Sequence, residues 1–332
     1  MTDSSPDLDV VCVGNAIVDV LAQTDDATIQ RLGMAKGAMS LIDADQAEAL
    51  YQEMAPGVET SGGSAGNTAA GLASFGARVA YIGKVADDQL GGIFRHDIRA
   101  IGAEFDTPAA ADGPPTARCL IFITPDAERT MNTFLGACVN LGPDDIDGDL
   151  LARAKVTYLE GYLWDRDAAK AAFHKAAELA HGAGRLVSLT LSDAFCVDRH
   201  RDSFRELING HVDILFANEA EILSLYQVES FDEALQHVRH DCAIAALTRS
   251  EKGSVIVDGD EIHVVDAVPV DKVVDTTGAG DQFAAGFLYG LTHGKSLFEA
   301  GQLGGLAASE VIAHVGPRPQ VGLAELAAKT FG

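Results

Sequence analysis

The chain has 332 residues, 47% hydrophobic and 22% charged, which excludes a disordered or fibrous protein and supplies one large α/β core with room for a small accessory lobe. A formal net charge of -25 repels a phosphate backbone over most of the surface, so nucleic-acid binding is not expected, although a local cradle of backbone N–H groups can still hold a phosphate. The acidic start MTDSSPDLD, and the absence of any apolar run near the roughly 18 residues a membrane span needs, predict a cytoplasmic protein with no membrane contact.

Val10 to Val13 form an apolar run ending at Gly14, after which Asn15, Ile17 and Asp19 alternate with Ala16, Val18 and Val20, predicting a buried strand passing into a more polar one. On an extended strand Asn15 and Asp19 share a face. They either offer donors and acceptors to a polyhydroxylated ligand or simply line a solvated face. In SGGSAGNTAAG, residues 61 to 71, Gly62 and Gly63 permit close backbone approach and Asn67 stands near the start of a helix, again as a ligand contact or a plain turn.

A helix over 68–75, the strand ARVAYIG and a helix near DDQLGGIFRHDIRAIG begin a βα alternation. It resumes with Val156 to Leu159, an Ala-rich helix from Asp167 to His181, the strand LVSLTL, and Val212 to Phe216. The acidic helix FDEALQHVRH and the strand CAIAAL follow, so a mostly parallel sheet with helices on both faces is expected. Segments 14–40 and 105–135, with the DGPP turn, break the pattern and are expected to pack as a small β lid, leaving 1–13, 41–104 and 136–332 as the αβα core. The five cysteines, without CxxC spacing, read as buried free thiols, and the histidines lack zinc-ligand spacing.

In NEAEIL, Asn218 and Glu221 have capping-box spacing, or place an acid near Mg²⁺ on a nucleotide phosphate. Arg129 in ERTMNTF suits a phosphate, and Thr248 and Gly253 in LTRSEKG suit a nucleotide; each is also an ordinary surface or strand-end residue. The stretch DTTGAGD, residues 275 to 281, follows the strand-like VPVDKVVD and opens a helix with Phe283, Ala284, Phe287, Leu288 and Leu291 on one face. It lacks the lysine of a P-loop and the third glycine of a dinucleotide fingerprint, where Phe283 stands. Two readings remain: a tight turn whose Asp281 complements the helix dipole, or a phosphoryl-transfer site with Asp281 as base beside an anion-binding turn.

Taken in this order, the stretches resemble the ribokinase-like (phosphofructokinase-B) family of carbohydrate and nucleoside kinases from GNAIVDV to SEVIAHVGPRP, with DTTGAGD the most specific element. The spellings GNxxxD, SGGSxxN, LSDAF, ANEAE and SEVI with a GxRP ending are most similar to adenosine kinases, whereas Thr277 and Ser250 depart toward or away from sugar-kinase patterns. The resemblance implies a three-layer αβα fold with a β lid, and an ATP- and Mg²⁺-dependent kinase acting on a nucleoside ribose 5′-hydroxyl. Adenosine is the first expectation; inosine, guanosine or a free sugar is the alternative. It carries the base role to Asp281, the anion hole to Gly278, Ala279 and Gly280, and the ribose contacts to Asn15, Asp19, Gly63 and Asn67. Arg129 would meet phosphate, Asn218, Glu221, Thr248 and Gly253 would serve Mg–ATP, and Asp275 with Thr277, near the Gly316 backbone, would hold K⁺. A monomer or homodimer is expected.

Overall fold

The stretch LDVVCV is buried along its whole length, the pattern of a strand covered on both faces. The computed structural model describes residues 6–126 and 128–331. In chain order the strands are β1 (Leu8–Val13), β2 (Ile17–Gln23), β3 (Met39–Leu41), β4 (Val58–Gly62), β5 (Val79–Ile82), β6 (Ala117–Ile123) and β7 (Arg129–Phe134). They continue with β8 (Ala154–Glu160), β9 (Leu186–Thr190), β10 (Ile214–Asn218), β11 (Ile244–Thr248), β12 (Ser254–Asp258) and β13 (Glu261–Val265).

One sheet has eight strands in the order β13-β12-β11-β10-β9-β8-β1-β5. From β5 to β11 neighbours pair in parallel, and β12 and β13 return antiparallel at the edge. Alternation along β1 sends Val11 and Val13 into a core with Phe173 and Phe204, from the helices Asp167–Gly182 and Ala194–His211. Val10 and Cys12 face the other way, into a core with Phe94, Phe283 and Phe287, from the helices Gln89–Ala100 and Ala279–Thr292. The αβα layering expected from the alternating pattern follows.

The second sheet has the order β3-β7-β6-β2-β4. Val18, Val20, Leu120 and Phe122 face the main body, while Ile17, Leu21, Cys119, Ile121, Ile123 and Met131 form a separate apolar face. Asp19 lies on that second face, opposite Cys119 and Thr60. Strand β4 falls outside the segments 14–40 and 105–135; VETSG has few strand formers and is recruited by pairing with β2.

The expected strand VPVDKVVD does not form, and residues 266–275 join no ladder. Pro269 has no N–H to donate, Val273 and Val274 stay exposed, and the segment is tied down where Val274 and Asp275 donate to the Ile312 carbonyl. Freed from a strand's register, this segment is led by Asp275 into the turn that opens the helix Ala279–Thr292. The five cysteines are free thiols, and among the described residues no helix is long and apolar enough to cross a membrane.

Candidate active site

In an open parallel sheet the segments leaving the C-terminal strand ends form the crevice. Here β1 runs into Asn15, β8 ends on Glu160, β10 on Asn218 and β11 on Thr248. The helices Ser64–Ser74 and Ala279–Thr292 bring their N-termini together beside β1 and β8, because Ser64 and Asn67 on one bond Asp281 on the other.

Ser64 Oγ donates to Asp281 Oδ1 at 2.6 Å, and Asn67 Nδ2 donates to Oδ2 at 3.0 Å. Burial pushes the Asp281 carboxyl up to about 6, against the pull of those two bonds and of the Arg318 charge. A base with that value is ionised at neutral pH yet keeps appreciable proton affinity, which suits proton abstraction from an alcohol as its oxygen bonds elsewhere.

Gly278 caps this helix at φ 80, where an L side chain is strained, and a Cβ there would collide with Pro317. The N–H groups of Gly278, Gly280 and Asp281 have no partner among the described residues, and open space surrounds the Cβ position of Gly280. The Ala279 N–H, expected among the anion donors, instead closes the turn on the Thr276 carbonyl at 3.2 Å. A tight turn must satisfy one of its own donors this way; the others and the helix dipole face outward, a fit for a phosphoryl group.

Gly63 caps the helix Ser64–Ser74 at φ 84, and its Cα lies so close to the Asn15 carbonyl that a Cβ would overlap it. Asn15 is buried, its Nδ2 donating to Glu160 Oε1 at 2.6 Å and its backbone N–H to Oε2 at 3.3 Å. Ala65 N–H also donates to Glu160 Oε2, at 2.8 Å. Burial raises the Glu160 carboxyl to about 7, with the Asp281 charge adding to the rise and the three bonds opposing it.

Neither Glu160 nor Ser64 stands out in the sequence as a site residue. Glu160 ends an ordinary apolar strand, and its partners lie 145 and 95 positions away. Ser64 was visible inside SGGSAGN, but only the fold brings it to Asp281, 217 residues on.

Asp19 is part-buried, with no hydrogen bond from a described residue; burial raises it to about 6 against the charges of Arg318 and Arg129. Arg129, expected on a phosphate, donates from Nη1 to Asp275 Oδ2 at 2.9 Å. Asp275 also accepts from Thr277 N–H (2.9 Å), Thr277 Oγ1 (2.6 Å) and Gly316 N–H (3.0 Å), so these bonds outweigh burial and hold it low. Expected phosphate ligand and expected K⁺ ligand therefore form one ion pair. As arranged, Asp275 and Thr277 do not fit a monovalent cation, because four donors fill the carboxylate and a guanidinium already neutralises it.

Asn218 and Glu221 form a reciprocal capping box: Glu221 N–H donates to Asn218 Oδ1, and Asn218 N–H and Nδ2 donate to the Glu221 carboxylate. Glu221 is 5% exposed, and burial with the nearby Asp193 charge raises it to about 7 against the Asn218 backbone bond. Among the described residues no three His, Cys, Asp or Glu side chains form a metal cage. A single acid of this kind fits Mg²⁺ carried on phosphate oxygens and water. Thr248 pairs beside Asn218 at the same sheet edge, and Gly253 turns β11 into β12 against the Val265 carbonyl.

Asp19, Asp281, Glu160 and Glu221 all have raised values, to about 6, 6, 7 and 7. A carboxyl raised by folding binds its proton more tightly in the native state, so between the unfolded value (3.8 or 4.5) and the folded one stability falls as pH rises. His174, lowered by burial and the neighbouring His211, opposes this as one group against four. The thermal midpoint is therefore expected to be higher at pH 5.5 than at pH 8; calorimetry giving an equal or lower midpoint at pH 5.5 would refute the assignment of strained carboxyls.

The family model for pfkB family carbohydrate kinases matches residues 8–321. A crystal structure titled adenosine kinase from Sinorhizobium meliloti is 57% identical, covers 97% of this chain and 99% of its own, and superposes with a TM-score of 0.89. A probable sugar kinase from Rhizobium etli CFN 42 is 54% identical over 98% of this chain and 99% of its own, with a TM-score of 0.90. The adenosine kinase of Saccharomyces cerevisiae is 28% identical over 330 residues, 93% of this chain and 96% of the yeast protein. The chain belongs to the pfkB family of carbohydrate kinases and is a kinase that phosphorylates a hydroxyl group, with the use of ATP and Mg²⁺ that membership implies.

Proposed function

We propose that the protein transfers the γ-phosphoryl group of ATP to the ribose 5′-hydroxyl of a nucleoside, adenosine foremost. The observation that carries this is Asp281, fixed by Ser64 and Asn67 at the mouth of a helix whose first N–H groups are open. Asp281 takes the hydroxyl proton as that oxygen bonds to the γ-phosphorus; the bond from this phosphorus to the bridging oxygen breaks, and ADP leaves with the electron pair. The N–H groups of Gly278, Gly280 and Asp281 hold the charge on the transferred group. Glu221 would help to hold the Mg²⁺ of the nucleotide, which would supply charge neutralisation there.

Asn15, Asp19, Gly63 and Asn67 line the ribose side. Asp19, without a donor among the described residues, accepts hydrogen bonds from ribose hydroxyls, and Asn15, whose Nδ2 is held by Glu160, presents its Oδ1. Support for a nucleoside comes from the apolar face of Ile17, Leu21, Ile121 and Met131 around Asp19, a surface of the kind a base needs and a free sugar does not. The second sheet then acts as a lid that excludes water during transfer. The free thiols suit a reducing cytoplasm.

ADP release from Mg–ATP is to be measured with adenosine, inosine, guanosine, ribose and fructose, with and without K⁺. Adenosine is expected to give the highest kcat/KM. Preference for a free sugar, the pattern to which Thr277 belongs, would overturn the acceptor and leave the transfer chemistry standing. Tight acceptor binding without ADP release would mark a sensor rather than an enzyme.

A further inference from the structure

The C-terminal loop after the helix Leu297–Ile312 touches the proposed transfer site at three points. Gly316 N–H donates to Asp275 at 3.0 Å, the Pro317 carbonyl accepts from Gln282 Nε2 at 3.0 Å, and Pro317 packs against Gly278. Arg318 follows directly. Its Nε donates to Asn67 Oδ1 at 3.3 Å and its Nη1 to Ser61 Oγ at 3.0 Å, while Nη2 is buried without a partner among the described residues. Among the described residues no carboxylate forms a direct ion pair with it, yet Asp19, Asp97 and Asp281 all favour its charge against the burial that pulls its pKa down. A guanidinium held so firmly and paired so incompletely is costly unless it sets something else.

What it sets is the Asn67 amide. Asn67 gives its carbonyl to Arg318 and its N–H₂ to Asp281. Turned over, the amide would point its oxygen at the Asp281 carboxylate and its hydrogens at the guanidinium, both repulsive. We propose that Arg318 is a positioning residue of the transfer site: by holding the Asn67 carbonyl it aims the Asn67 N–H at Asp281 and so fixes the base on the acceptor hydroxyl. This rests on the kinase reading above and adds to it a residue that acts through the Asn67 amide.

The groups facing Asp281 are Ser64 and Asn67 from one helix, Arg318 from the C-terminal loop, and Glu160, Tyr158 and Tyr162 from β8 and the turn after it. Burial drives both tyrosines up, so they stay neutral; Glu160 repels, and Arg318 is the sole positive charge of the set. Without it Asp281 holds its proton to higher pH.

The test uses Arg318→Gln and Arg318→Lys in the full chain. It reads kcat and KM against pH, and separately a ¹³C carboxyl titration of Asp281, assigned through Asp281→Asn. Arg318→Gln is expected to lower kcat roughly 10- to 100-fold and to move both the acid limb and the carboxyl titration up by ~1 pH unit. Arg318→Lys keeps the charge but not the fork, so the titration returns towards the native value while kcat stays low. A folded Arg318→Gln protein with an unmoved Asp281 titration, or Gln and Lys variants that behave alike, would overturn the proposal. The titration does not depend on turnover, so it is read even if no acceptor is phosphorylated; native protein inactive on every acceptor sinks the kinase reading instead.

Discussion

Asp281→Asn is expected to lower kcat by about 10³-fold while changing the acceptor KM only a few-fold. The substitution is nearly isosteric, and its hydrogen bonds can be kept. The new amide oxygen can accept from Asn67 Nδ2, and the new N–H₂ can donate to Ser64 Oγ, whose hydroxyl rotates to accept. What disappears is the proton acceptor. Since burial had raised the Asp281 carboxyl to about 6, removing its charge also relieves strain at neutral pH, so the variant's thermal midpoint at pH 8 should equal or exceed the native one. Steady-state ADP release and calorimetry on the same preparation check both halves. Turnover within tenfold of native would show that Asp281 is not the base, and a lost fold would show that its role is structural.

That pairing of lost activity with retained stability separates the two readings of DTTGAGD that the sequence alone leaves open. An acid that merely complements the helix dipole stabilises by a few tenths to ~1 kcal/mol, so its removal would cost stability. Asp281 instead stands part-buried against another helix with its carboxyl pushed towards neutrality. A natural protein retains such a group where chemistry needs it.

Much of the αβα core was legible because βα alternation is local: an apolar run of four to six residues, then helical spacing, repeated. The motif glycines were legible for the same reason, as Gly63 and Gly278 sit at positive φ within their own turns. Less legible was whatever depends on distant pairing. VPVDKVVD has the residues of a strand, but among the described residues it pairs with no strand and is tied instead to the Ile312 carbonyl. VETSG has few of them and becomes a strand because β2 offers a free edge. Arg129 and Asp275, 146 residues apart, read from sequence as ligands of a phosphate and of K⁺, pair with each other in the fold. Arg318 was visible only as part of a closing GxRP, since its partners Asn67 and Ser61 lie 251 and 257 positions earlier.

Glu160 carries the second large expectation, through two variants that fail in different ways. Three donors converge on its carboxylate in a place where Glu160 is 1% exposed: Asn15 Nδ2, Asn15 N–H and Ala65 N–H. Glu160→Leu orphans all of them at about 1–3 kcal/mol each, offset in part by removal of a buried charge, so a net loss of several kcal/mol is expected from denaturant titration. Glu160→Gln keeps the shape and removes the charge but sets its own N–H₂ against Asn15 Nδ2 at a 2.6 Å contact. Two donors cannot face each other there, so the Asn15 amide turns over and shows the acceptor an N–H₂ where it had shown an oxygen. The fold should survive, while acceptor KM rises roughly tenfold or more and kcat changes less, because the altered contact lies on the ribose side and not at the reacting oxygen. An unchanged KM in a folded Glu160→Gln protein would mean that Asn15 does not meet the acceptor, and a Glu160→Leu protein as stable as the native one would mean that the carboxylate organises nothing.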